Sequence, residues 1–227
     1  MKIVISIGGS ILAPDGADYE YINKFSSVIR ELAKNNENKI GIVVGGGKVA
    51  RKYIESARKF GANEFFSDLI GINATQLNAG ILIAALCDIS NLEPCQTIME
   101  AEREMRNNSV VIMGGTHPGH TTDCVAAMLA EYANADVFVI ATSADFVYTK
   151  DPRKYEDAKK LERLSFDDLI KISGQVPMGA GSSTVVDLVA ANIMKRSKIK
   201  TIVLHAADVE NLKSAILGKT FVGSIVG

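Results

Sequence analysis

This sequence of 227 residues has almost no net charge, only three cysteines, and no stretch that reads as a membrane span. Each absence removes a class of function. Twenty-five lysines and arginines against 26 acidic residues leave a formal charge of −1. That balance gives no electrostatic reason to expect nucleic acid or an anionic membrane as a partner. An anionic ligand must then be captured by local geometry. Cys87, Cys95 and Cys124 are widely spaced and odd in number, the pattern of buried thiols in a reducing compartment. We read no apolar run of the roughly 18–20 residues that a bilayer requires, and the N-terminus leads directly into a strand. The cytoplasm is the expected compartment. Repeats, low-complexity tracts and an obvious interdomain linker are also missing. What remains is 47 % hydrophobic and 22 % charged, an ordinary globular composition with a sizeable core, in one large α/β domain or two small ones.

Apolar runs alternate with helical periodicity along the chain. Strands are expected at 2–7, 39–44, 110–113, 136–142, 200–204 and 221–226, and helices at 48–60, 99–107, 123–132, 185–196 and 209–217. Ile22, Phe25, Ile29 and Leu32 recur at helical spacing, and the mostly apolar 65–86 reads as one or two helices. The 88–97 stretch is given a short strand. From Ser143 the character changes: 147–164 is polar and carries Pro152, and Ser165 with Asp168 reads as an N-cap with a capping-box variant. The nearly continuous apolar run at 136–142 is the pattern of a buried parallel strand. Strands alternating with helices predict a mainly parallel central sheet with helices on both faces, a three-layer α/β sandwich.

Several of these strands end in polar or glycine-rich turns: Gly8-Gly9-Ser10, Gly45-Gly46-Gly47, Gly114-Gly115-Thr116 and Thr142-Ser143. In a parallel sheet such ends share one edge, where ligands bind in open α/β folds. Glycine lets the backbone approach a phosphate, and the following helix offers unpaired N–H groups and a positive dipole end. One such turn is ordinary turn chemistry; three after separate strands are harder to dismiss, and two of them could hold two phosphorylated ligands. Neither GxxxxGK[ST] nor a GxGxxG after the first strand is present, so the common nucleotide signatures do not apply. The third turn opens a longer loop, "GGTHPGHTTD", with abundant hydrogen-bonding capacity and little to bury. It is either a solvated connection or a wrap around a polar ligand. His117, His120 and Asp123 have an H-x₂-H-x₂-D spacing, but a loop containing glycine and proline is not the rigid scaffold of a catalytic zinc. No protein metal site is assigned.

Three segments carry a family resemblance. "VVGGGKVARKY", "GGTHPGHTTDCVAAMLAEYANAD" and "FVYTKDPRKYEDAKKL" resemble the glycine turn, acceptor loop and ATP-base segment of uridylate kinases in the amino acid kinase superfamily, especially the archaeal type. The likeness runs from "SIGGSIL" to the last strand. It implies an amino acid kinase-like domain with an acceptor lobe at about 1–142 and an ATP lobe at about 143–227. By matched positions, UMP would be held by Gly46, Asp68, Thr116, His117, Pro118, Gly119, His120, Thr121 and Thr122. ATP would be held by Gly9, Ser10, Gly47, Arg51, Thr142, Tyr148 and Asp151. Lys48, Arg51 and Asp123 would be the catalytic groups, with Asp123 placed where such kinases orient their cations. Read without the family, Asp123 is a helix N-cap, and Lys48 and Arg51 are solvated helix charges. The resemblance further implies Mg²⁺ with ATP and a homo-oligomer, a homohexamer by analogy.

The chain also departs from the family. Where many members carry a lysine on the first strand, this one has Ser6, and the usual N-V-D-G-V-Y segment reads Ser143-Ala144-Asp145-Phe146-Val147-Tyr148. These departures support a second reading, a nucleotide-binding sensor or storage protein that has kept the fold and lost the chemistry. A third reading is another phosphotransferase of the superfamily. For isopentenyl phosphate kinases, Val44 stands where a histidine usually leads the glycines.

Overall fold

Alternation along the first strand sets up the layers. In the computed structural model, which describes residues 1–34, 37–174 and 186–227, strand β1 (Lys2–Ile7) sends Ile3, Ile5 and Ile7 into one buried cluster and Val4 into the other. After it come α1 (Gly9–Leu12), α2 (Tyr19–Ala33), β2 (Lys39–Val44), α3 (Gly47–Lys59) and α4 (Glu64–Leu86). Then follow α5 (Ile98–Asn107), β3 (Val110–Met113), α6 (Thr122–Tyr132) and β4 (Val137–Thr142). The remainder comprises β5 (Val147–Tyr148), β6 (Lys160–Leu161), β7 (Arg163–Leu164), α7 (Phe166–Ser173), α8 (Leu188–Ser197), β8 (Thr201–His205), α9 (Val209–Ile216) and β9 (Ser224–Val226).

The main sheet has the order β3-β2-β1-β4-β8-β9-β7, and its first five strands are all parallel. β9 runs antiparallel to β8, while β5 and β6 form a separate antiparallel pair. One apolar layer joins the β1 isoleucines to Phe25 of α2, Leu82 of α4 and Leu212 of α9. The other joins Val4, Val43 and Ile140 to Met105 of α5, Leu129 of α6, Leu169 of α7 and Ala190 of α8. The expected three-layer sandwich is therefore the observed architecture, with the ends of five parallel strands on one edge.

Differences from expectation have local causes. The 88–97 stretch forms only isolated bridges, Ser90 to Val110 and Cys95 to Met113. Between them the Asn91 side chain takes the place of a strand, donating to Ile112 O at 2.8 Å and accepting from Ile112 N at 2.7 Å. The 65–86 run is a single helix, capped by Asn63. Helix 185–196 starts at Leu188 behind an Asp187 cap, and Val185 lies outside the described residues. The last strand is limited to Ser224–Val226. Ser165 and Asp168 do form a capping box.

Helix α4 corrects the reading that nothing here could span a membrane: by length and composition alone it qualifies. Its packing shows another use. Thr75, Asn78, Ala79, Leu82, Ile83 and Leu86 are buried against the fold, and its polar residues reach the glycine turns.

Candidate active site

The turns after β1 and β2 are in backbone contact. A methyl group on Gly9 would lie 2.2 Å from Gly45 O and 2.4 Å from Gly47 N, so no side chain fits there. Gly47 has a φ of +67°, which glycine adopts without the steric cost other residues incur. Asn78 of α4 donates its side-chain amide to Gly45 O at 2.9 Å and Gly46 O at 3.3 Å. The same helix holds the third turn: Gly115 N donates to Thr75 Oγ1 at 2.7 Å, and Gln76 Nε2 donates to Gly115 O at 2.8 Å. One helix thus ties two glycine turns together. Thr75, Gln76 and Asn78 were not singled out from the sequence, although three polar residues within an apolar helix were the available signal.

The loop beyond the third turn is fastened at both ends. Gly119, at φ +84°, donates its N–H to Asp68 Oδ2 at 2.8 Å. The His117 ring lies 6.3 Å from Phe65 and 6.0 Å from His120, with Pro118 O 2.9 Å from His117 Nδ1. Thr121 accepts from Cys124 N at 3.1 Å as the cap of α6, and its hydroxyl donates to Asp187 Oδ2. Asp187 in turn caps α8 by accepting from Ala190 N at 2.9 Å. Thr122 Oγ1 points toward the second turn, at Gly45. The fold therefore brings Asp68 to the loop and Thr122 to the glycines. The cap of α6 is Thr121 and not Asp123, which sits in the first helical turn.

Asp123 faces the first strand, where Ser6 Oγ donates to its Oδ1 at 2.6 Å. Although Asp123 keeps some solvent contact, burial pushes its carboxyl up to about 6, the Ser6 bond pulls it down, and Asp187 pushes it up again. Lys48, exposed at the start of α3, lies 3.6 Å from Asp15, which also pairs with Lys52 at 3.7 Å. Arg51, one turn further along, is exposed and forms no ion pair among the described residues.

The raised carboxyl has a consequence for stability. A folded-state value of about 6, above the ordinary 3.8, means that ionising Asp123 opposes folding. The contribution of the protonated form is complete below the lower value and is lost as pH rises through the higher one. Asp123→Asn keeps an acceptor for Ser6 and never ionises. We expect it to melt at a higher temperature than the parent at pH 7.5, by an amount worth on the order of 1–3 kcal/mol, with the gap narrowing toward pH 4. Thermal melts across that range check this, and a gap independent of pH would contradict it.

The segment after β4 forms its own network. Thr142 O accepts from Ala206 N at 2.7 Å, linking the ends of β4 and β8. Asp145 Oδ1 accepts from Phe146 N and from the Tyr148 hydroxyl, both at 3.0 Å. Phe146, in the place of the family's glycine, is buried with Lys160 Nζ 4.8 Å from its ring centre. Its backbone φ is not positive, so a side chain is tolerated there. Asp151 is held by the Arg153 guanidinium at 3.1 and 3.2 Å. Ser10 follows the Gly9 contact on α1.

Comparison with known proteins agrees with this architecture. A uridylate kinase from Methanococcus aeolicus is 48 % identical over 227 residues, covering 100 % of this chain and 99 % of that protein. One from Pyrococcus abyssi is 48 % identical over 219 residues, 96 % of each chain. The crystal structure of uridylate kinase from Archaeoglobus fulgidus matches with a TM-score of 0.89 at 45 % identity, covering 100 % of both chains. A UMP kinase structure from Bacillus anthracis, at 20 % identity and a TM-score of 0.82 over 100 % of this chain and 95 % of that one, shares the fold. The sequence pattern of the amino acid kinase family matches residues 1–205, and with these full-length relatives it establishes that the chain belongs to the amino acid kinase family.

Proposed function

We propose that the chain transfers the γ-phosphoryl group of ATP to UMP, giving UDP and ADP. The observation that carries this reading is the shared strand edge. There, two interlocked glycine turns stand beside a third that opens a loop clamped by Asp68, with Asp123 below. Full-length similarity to proteins named uridylate kinase supports it. In this reading Gly46, Asp68 and the loop from Thr116 through His117, Pro118, Gly119, His120 and Thr121 to Thr122 receive UMP. Gly9, Ser10, Gly47, Arg51, Thr142, Tyr148 and Asp151 receive ATP. Residues 1–142 then act as the acceptor lobe and 143–227 as the ATP lobe of one domain.

Phosphoryl transfer asks little covalent work of a protein; it needs two phosphates held in line and positive charge around the moving group. The close-set glycines bring backbone N–H groups to the phosphates. Lys48 and Arg51 supply charge from one face of α3, and Asp123 orients it. Among the described residues no group of three or more His, Cys, Asp or Glu is arranged for a metal. Mg²⁺ would enter as the counter-ion of ATP, held by its phosphates, with Asp123 as the protein carboxylate beside them. When bound, it neutralises charge on the phosphoryl oxygens.

The reading places the enzyme in the cytoplasm, in keeping with its three free cysteines. It also makes the enzyme a homo-oligomer, a homohexamer by family, with the exposed Phe65, Leu77 and Ile81 of α4 as a contact. A monomer in light scattering would remove that contact. UDP formation from ATP and UMP, abolished by chelating Mg²⁺, tests the reaction. Binding of both nucleotides without UDP at any Mg²⁺ concentration would favour the sensor reading instead.

A further inference from the structure

Ser6 is the one buried polar side chain of β1, at 2 % exposure. It pairs in register with Val43 on β2 and Ile140 on β4, both members of the apolar layer under α6. A valine would suit that position, and a hydroxyl buried among such neighbours is costly unless it is bonded. Its partner is Asp123, at 2.6 Å, from 117 residues away. That bond occupies Oδ1, while Oδ2 makes no hydrogen bond to the described residues. A carboxylate held by neither oxygen turns about its terminal torsion, whose preference is broad. Held at one oxygen by a central strand, it presents the other in a fixed direction.

The strand that supplies the hydroxyl is a central strand of the sheet. It is paired on both sides, and two residues after Ser6 it enters the Gly8-Gly9 turn that interlocks with Gly45 and Gly47. Asp123 enters from the opposite side, on the first turn of α6, whose start is pinned by Thr121 to Asp187. Asp187 is 7 % exposed and also caps α8. The carboxylate is therefore located from the sheet by Ser6 and from the helix layer by its backbone.

We propose that Ser6 is a positioning residue for phosphoryl transfer: its hydroxyl fixes the Asp123 carboxylate at the strand edge so that Asp123 can orient the catalytic cations. The inference rests on the kinase reading above. It gives the first strand a role, orientation through a hydrogen bond, that needs no charge at this position.

Steady-state kinetics of Ser6→Ala, Ser6→Thr, Asp123→Ala and the Ser6→Ala/Asp123→Ala pair test it. Loss of a hydrogen bond to a charged group is expected to lower kcat for UDP formation about tenfold in Ser6→Ala. KM for both nucleotides should stay within about twofold, the signature of an interaction that matters in the transition state. Ser6→Thr, which keeps the hydroxyl, should restore most of the rate. In the Asp123→Ala background, which has no acceptor left for the hydroxyl, Ser6→Ala should add no further loss, because its effect passes through that carboxylate. Equal losses in both backgrounds, or a raised KM with unchanged kcat, would overturn the proposal. If the added methyl of threonine crowds Val43 and Ile140 and the variant misfolds, the double-mutant cycle decides alone. A wild-type chain that makes no UDP removes the kinase reading and this inference together. An active wild type indifferent to Ser6→Ala removes only the inference.

Discussion

UMP should be converted with a kcat/KM about 10⁴-fold higher than CMP, the range reached by sites built to hydrogen-bond their substrate. Uracil presents an N3–H donor beside an O4 acceptor, whereas cytosine presents an N3 acceptor beside an amino donor. A loop that matches the first pattern leaves buried groups unpaired with the second. The structure narrows which groups can do the reading. Gly115 is engaged on both its N–H and its C=O by Thr75 and Gln76, and Gly119 N–H is held by Asp68. The Thr121 hydroxyl is committed to Asp187 and to the α6 cap. What remains is the Thr116 and Thr122 hydroxyls, the His117 and His120 rings and the other backbone groups of the loop. Thr122→Val, which removes a hydroxyl at nearly constant volume, should weaken UMP use while leaving ATP affinity little changed. Comparable turnover of UMP and CMP would show that the loop serves another ligand.

The second large effect belongs to α3. In the proposed reading, with Ser6 neutral, the positive charge at the transferring group comes from Lys48, Arg51 or the metal. Replacing the critical one of the two side chains by alanine should lower kcat by about 10²–10³, the cost of one preorganised electrostatic contact. The present partner of Lys48 does not argue against this. Its pair with Asp15 spans 3.6 Å between two well-exposed groups, and exposed pairs hold a side chain only weakly. Arg51 has no ion pair to leave among the described residues. Single-turnover rates for Lys48→Ala and Arg51→Ala read the effect directly. If both variants keep nearly full turnover, the charge comes from elsewhere.

How much of this was legible from the sequence follows from the range of each interaction. The strands and their common edge were readable because alternation and apolar runs are local, as Ile3, Ile5 and Ile7 against Val4 illustrate. The three glycine turns were readable for the same reason. Their interlocking was not: the contact between Gly9 and Gly45 depends on the pairing of β1 with β2. The Ser6 bond to Asp123 and the Thr121 bond to Asp187 cross 117 and 66 residues, and no spacing rule reaches that far. Asn91 acting as a strand neighbour of Ile112 was misread as a strand, because a side-chain amide offers the same donor and acceptor as the backbone. Phe146 fits where the family has glycine, since the backbone there is not at positive φ and Lys160 lies over the ring. The structure bears on the helix N-cap reading of Asp123 as well: Thr121 caps α6, and the Asp123 carboxylate instead accepts from the Ser6 hydroxyl.

The central claim is that the terminal phosphoryl group moves from ATP to UMP on this chain. Incubating the 227-residue chain with γ-labelled ATP, UMP and Mg²⁺, and separating the products, tests it most directly. The account predicts label in UDP, with ADP formed in equal amount and no label transferred when the metal is chelated. Label that stays in ATP or appears only as inorganic phosphate, although both nucleotides bind, would contradict it.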